Sequence, residues 1–131
     1  MMTVEEIGGL IAQKMLQGTM IHEQLINYYN FLGLKGYQKC HEYHYEEESS
    51  AYIKFMCYFI NHYNKLLPKY SFESLTAPVI IPDNWYGYNR EDVDISTKRN
   101  AVKNGLEKWI SWEKEVKHFL QETYSELINI N

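Results

Sequence analysis

Cysteine is scarce: the 131-residue chain has two, Cys40 and Cys57. They fall in one stretch of helical periodicity, and 17 positions at ~1.5 Å per residue puts them about 25 Å apart, far beyond disulfide reach. Free thiols are expected, and no Cys-x-x-Cys pair is present for redox or zinc chemistry. No apolar run approaches the roughly 18 residues of a membrane span, and the opening MMTVEEIGGL lacks the basic and apolar regions of a secretory leader. A soluble, cytoplasmic protein is expected.

Basic charge is also in short supply. Thirteen Lys and Arg face seventeen Asp and Glu, for a formal net charge of -4, and the basic residues are scattered. A nucleic-acid or anionic membrane partner would need a basic face, so neither is expected. The chain has no Gly-rich phosphate loop, nucleophile elbow or Ser-His-Asp order, which leaves no small organic substrate in view. The many Lys, Asn, Ile and Tyr residues suit an AT-rich, bacterial genome.

All three prolines, Pro68, Pro78 and Pro82, lie in one segment, 68–96, that has no helical period. It reads as a long crossover, with PVII at 78–81 as a short strand. The rest has the three-and-four apolar spacing of packed helices. Thr3 with Glu6 forms a capping box, and Ile7, Leu10, Ile11, Met15, Gly18, His22, Leu25, Tyr29 and Leu32 continue an inner face, so a helix spans about 3–32. Gly33 suits the left-handed cap that ends it. A second helix is expected over 35–66, with Tyr37, Cys40 or His41, His44, Glu48, Ala51, Phe55, Phe59 and His62 inward. A third, capped by Asp94 or Ser96, covers 97–129 with Val102, Leu106, Trp109, Glu113, Val116, Leu120, Tyr124 and Leu127 inward. One all-α domain, 1–131, accounts for the chain.

The wiring, a short turn and then a long crossover, is that of a bundle whose hairpins are joined by one long connection. Here the residues themselves resemble ferritin. LGLKGYQKCHEYHYEEESSAYIKFMCYFINHYNKLL, from Leu32 to Leu67, looks like the end of ferritin's first helix, its turn and its second helix. GLEKWISWEKEVKHFLQETYSELI, from Gly105 to Ile128, is similar to its third. The resemblance covers about 12–66 and 97–130. It implies a ferritin-like bundle, a carboxylate centre that binds and oxidises or stores ferrous iron, and assembly into oligomers. Aligned through the Gly33–Gly36 turn, Glu48 and Glu113 fall on two of the family's glutamate ligands. Met15 stands at the first-helix glutamate, Ala51 at the expected histidine, and the chain stops where a fourth helix would begin.

Geometry adds a second argument. Helices running antiparallel about a midpoint near 33.5 set His22 beside His44 or Tyr45 and Gly18 near Glu48. His22, His44 and Glu48 then cluster, with Glu113 arriving from the third helix, in a mixed nitrogen and oxygen set suited to iron, manganese or zinc. Two carboxylates in a sheltered seam need a cation, a proton or hydrogen-bond donors to offset their desolvation; Tyr29, Tyr45 or a trapped water are the metal-free candidates. Glu46 and Glu47 face solvent, His41 is a boundary residue, and His62 is a capping or surface imidazole. Glu115 and His118 have Glu-x-x-His spacing but turn away from the apolar stripe. Trp85, Tyr86 and Tyr88 in the crossover cover the bundle end, and Trp109 and Trp112 fill the gap of an absent helix. Three amphipathic helices leave apolar surface to cover, so a homo-oligomer, most simply a two-fold dimer completing the bundle, is expected. The alternative function is a metal-free interaction or assembly protein on the same scaffold.

Overall fold

The first helix begins where its cap signal stands: the Glu6 amide donates to Thr3 Oγ1 at 3.1 Å, satisfying one of the free donors of the first turn. The computed structural model describes residues 2–69 and 78–130. Helix α1 is Val4–Phe31, α2 is Lys35–Tyr63 and α3 is Ile95–Ile130, with 3₁₀ turns at Asp83–Trp85 and Arg90–Asp92. Among the described residues there is no strand, and the architecture is all-α. None of its helices is long and apolar enough to cross a membrane.

The turn between α1 and α2 closes as expected. Gly33 has φ +74°, and the Leu34 amide reaches back to the Tyr29 carbonyl at 2.9 Å, which closes the C-terminus of α1. Asn64, at φ 55°, ends α2 before Pro68. The Thr97 amide donates to Asp94 Oδ1 at 2.7 Å, so Asp94 caps α3; hydrogen bonding from the Thr97 side chain first, and then from its amide, holds the carboxyl below the ordinary range.

α1 is the central element. It packs against both α2 and α3, whose backbones barely approach each other. Being covered on two sides, it buries a broad face that includes the expected Ile7, Ile11, Gly18, His22, Leu25 and Tyr29 and adds Ala12, Ile21 and Tyr28. One core cluster gathers Ile21, Leu25, Tyr29 and Leu32 with Ile80, Ile81, Ala101 and Trp112. A second joins Ile7 and Ile11 to Leu127. Only His41 and Phe59 of α2 are fully withdrawn from solvent.

Two sequence expectations are corrected. PVII is no strand: Ile80 and Ile81 are core residues, and Gln24 clamps the segment, its Nε2 donating to the Pro78 carbonyl (2.8 Å) while its Oε1 accepts from the Ile80 amide (3.0 Å). A side chain supplies the hydrogen bonds a neighbouring strand would have made. On α3 the buried positions are Ala101, Gly105, Trp112, Thr123 and Leu127, whereas Leu106 and Tyr124 are about half exposed. Small residues set this choice, because Gly105 lets the α1 side chains Tyr29 and Leu25 approach its backbone.

Much of the crossover, 70–77, lies outside the described residues. Its remainder covers the bundle end as expected: Trp85 sits edge-on to Tyr28 and Phe31, at ring centroid distances of 5.6 and 6.3 Å. Burial raises the Tyr28 hydroxyl, and its hydrogen bond with Trp85 offsets part of that. Tyr86 and Tyr88 stay largely exposed. The two cysteines are free and exposed.

Candidate metal centre

Where α1 and α2 run side by side, Gly18 leaves room that any other residue would fill. A Cβ there would stand 2.5 Å from Glu48 Oε2, so the carboxylate rests directly on the α1 backbone. One turn on, His22 is buried and its Nε2 lies 3.2 Å from Glu48 Oε1. α3 contributes Glu113. Ligand atoms of His22, Glu48 and Glu113 all lie within 4.8 Å of one another, a cluster that could hold a metal ion.

The donor set fits such an ion. One imidazole nitrogen and two carboxylates form a mixed nitrogen and oxygen set of the kind iron, manganese and zinc accept, at about 2.0–2.2 Å per bond. The His22 and Glu48 atoms already have the spacing of adjacent ligands. Glu113 would have to swing inward, which its exposed side chain permits. It is exposed because Trp112, its neighbour, takes the core direction; the expectation that both acids sit in a sheltered interior holds for neither fully, since the Glu48 side chain is 30% accessible. The cleft beside them is about 80 Å³, room for an ion with a water or two. Met15 and Ala51 line it, the two positions at which the aligned ferritin pattern would carry ligands.

Around His22 the structure builds an imidazole stack. His22 Nδ1 and His41 Nδ1 are 2.9 Å apart, His44 stacks on His22 with centroids at 5.3 Å, and the Trp109 indole stands against all three rings. His44 stands beside the acid cluster rather than in it, its Nδ1 directed at Glu47 Oε1 (3.2 Å). The boundary role expected for His41 is corrected: it is buried, and burial first, then the neighbouring His22 and His44, push its pKa down to about 4. It is therefore neutral at pH 7. Its place was readable, since it lies three residues before His44 and seven before Glu48 on one helix face.

Neutral His41 constrains the protons. With His22 also neutral, an ionised Glu48, which only accepts, takes its Nε2–H, and His22 Nδ1 is then bare and accepts from His41 Nδ1–H. A metal on His22 Nε2 reverses both rings: His22 carries its proton on Nδ1 and donates it to a bare His41 Nδ1. The other acid of the cluster has its own donor, Trp109 Nε1–H to Glu113 Oε1 at 3.0 Å.

The remaining candidates lie apart. Glu115 pairs with Lys14 (3.7 Å) and His118 with Glu122 (3.1 Å), both on the exposed side of α3. His62 is exposed at the end of α2, stacked on Tyr58. Tyr29 does not meet the acids; it packs against His41 and the Gly105 backbone, and burial, reinforced by Tyr28, Tyr37 and Cys40, raises its hydroxyl to about 12. No family model, curated protein or solved structure matches the sequence.

Proposed function

We propose that the protein binds a single divalent transition ion, iron in the first instance, through His22 Nε2 and the carboxylates of Glu48 and Glu113. The observation that carries this is the convergence of one buried imidazole and two acids, each from a different helix, with ligand atoms within 4.8 Å of one another. The choice of iron rests on the ferritin resemblance, from which Met15 and Ala51 depart at two ligand positions beside the same cleft. On this reading the chain is a ferritin-like scaffold with a simplified centre displaced toward His22. One nitrogen and two acids suit a mononuclear site, so binding precedes any role in ferrous iron oxidation or storage. The imidazole stack and Trp109 would orient the ligand and limit water on its inner side.

Metal analysis of purified protein and anaerobic titration with Fe(II) test this. One ion per chain is expected for the wild type and none for Glu48→Ala. Absence of metal in both, with identical titrations, overturns the proposal.

A metal-free assembly scaffold is the second reading, and one observation favours it. Every buried side-chain polar atom among the described residues has a hydrogen-bond partner without an ion, and His22 and Trp109 already serve Glu48 and Glu113. That reading expects Glu48→Gln to retain full thermal stability whether or not metal is added.

A further inference from the structure

Helix α3 carries two apolar faces, and α1 covers one. The other, about 100° round the axis at 3.6 residues per turn, runs Leu106, Ile110, Glu113, Lys117, Leu120 and Tyr124. Leu106, Ile110 and Tyr124 are 44–51% exposed, a large apolar area in one stripe for a helix with no neighbour there among the described residues. Two hollows of about 630 and 560 Å³ follow this stripe and share Leu120 and Gln121; the second is floored by Ile11 and Met15 and walled by Phe55 and Tyr58 of α2. The first hollow is lined by α3 alone, and α2 borders only the second, so the stripe lies open along most of α3.

The stripe reads the same in both directions about residue 115. Leu106 and Tyr124 are each nine residues from that point, Ile110 and Leu120 five, and Glu113 and Lys117 two. We propose that the occupant of this face is a second copy of the chain, docked with its α3 antiparallel to the first about a two-fold axis at residue 115. Leu106 then meets the partner's Tyr124, Ile110 the partner's Leu120, and Glu113 the partner's Lys117, with every pair occurring twice. The charge arrangement selects this occupant. A face built for an unrelated helix has no reason to place one acid and one base at equal distances from its own centre, whereas a self-pairing face must, because two like charges there would oppose each other.

The inference shares Glu113 with the proposed metal centre, so its test is run in chelator, where the acids carry no ion and the pairing is read without metal. Sedimentation equilibrium of the full chain is expected to show a dimer at micromolar concentration. Lys117→Glu and Glu113→Lys, both at exposed positions, should each weaken it at least about tenfold with helical circular dichroism unchanged, and the double variant should return to near the wild-type affinity. Ile110→Glu should give monomer. A monomeric wild type, as a face reserved for another protein would leave it, overturns the proposal. So do single variants that dimerise like the wild type, or a double variant that fails to recover.

Discussion

His22 Nδ1 and His41 Nδ1 lie 2.9 Å apart, so one ring nitrogen donates and the other accepts. Glu48 on the opposite nitrogen of His22 decides which, and a metal in place of that proton reverses the order. The pair links α1 to α2 and reports on the cleft beyond them.

The first prediction uses that reversal. In metal-free protein at pH 7, nitrogen-15 spectra should show His22 protonated on Nε2 and His41 on Nδ1. Saturation with Zn(II), a diamagnetic stand-in for iron, should move both protons to the other ring nitrogen. Tautomers that stay fixed while the metal binds would place the ion on atoms other than His22 Nε2.

Gly18→Ala separates fold from site. Alanine favours a helix interior over glycine by about 1 kcal/mol, and the atom its Cβ would strike, Glu48 Oε2, ends a flexible side chain that can move. Urea unfolding should therefore give equal or slightly higher stability. Metal affinity should fall about tenfold or more, because Glu48 loses its seat on the α1 backbone. Unchanged metal affinity in a folded variant would mean that Glu48 is not a ligand.

α1 was legible in the sequence because its buried face is wide and apolar and its ends carry Thr3 and Gly33. α3 was harder to read. The expected stripe mixes residues of the face left open, Leu106, Glu113 and Tyr124, with residues of the packed face such as Leu127, since periodicity weighs every apolar residue alike and cannot say which partner each one has. Gly105 and Ala101, which allow the close approach, add nothing to an apolar count. His22 and Glu48 were placed together by counting outward from the Gly33 turn, a constraint that does not depend on polarity. The place of His41 was open to the same helical count from His44 and Glu48, but the periodicity admits either Cys40 or His41 at the inward position, and the burial of His41 against the His22 ring shows only in the fold.

Tyr29 and Gly105 give the test of that close packing. The Tyr29 hydroxyl lies against the space a side chain at 105 would take, and Tyr29 is fully buried. Gly105→Ala should destabilise the fold by about 1–3 kcal/mol, as overpacking does, in spite of alanine's better helix propensity. A more stable variant in urea unfolding would show that α3 can move away from α1 freely.

Stability should rise with pH between about 4 and 6.5. The folded pKa of His41, about 4, is depressed below its ordinary 6.5, so the unfolded chain binds a proton that the folded chain refuses. The stabilisation is complete above pH 6.5 and is lost as pH falls toward 4, an effect on the order of 2 kcal/mol. The groups facing His41 are His22 and Tyr29 of α1, His44 of α2 and Trp109 of α3, with no carboxylate bonded to it to favour the charged form. His41→Gln, unfolded by urea in chelator at pH 5 and pH 7, should show a smaller difference between the two than wild type. An equal difference would assign the pH dependence to other groups.

Arg90 ties the crossover to the end of α1. Its Nε donates to the Phe31 carbonyl at 2.9 Å and its Nη2 to the Asn30 carbonyl at 2.8 Å, so one guanidinium reaches two carbonyls of the last turn and places positive charge at the negative end of the helix. Both bonds are exposed, which keeps their contribution near the low end for charged hydrogen bonds, about 1 kcal/mol together. Arg90→Ala should lose that amount. Arg90→Lys should recover only part of it, because an ammonium keeps the charge but not the planar fork that reaches two carbonyls at once. Full recovery by lysine in urea unfolding would reduce the interaction to charge alone, and no loss in either variant would mean that the crossover is held by Trp85 against Tyr28 and Phe31 without help from Arg90.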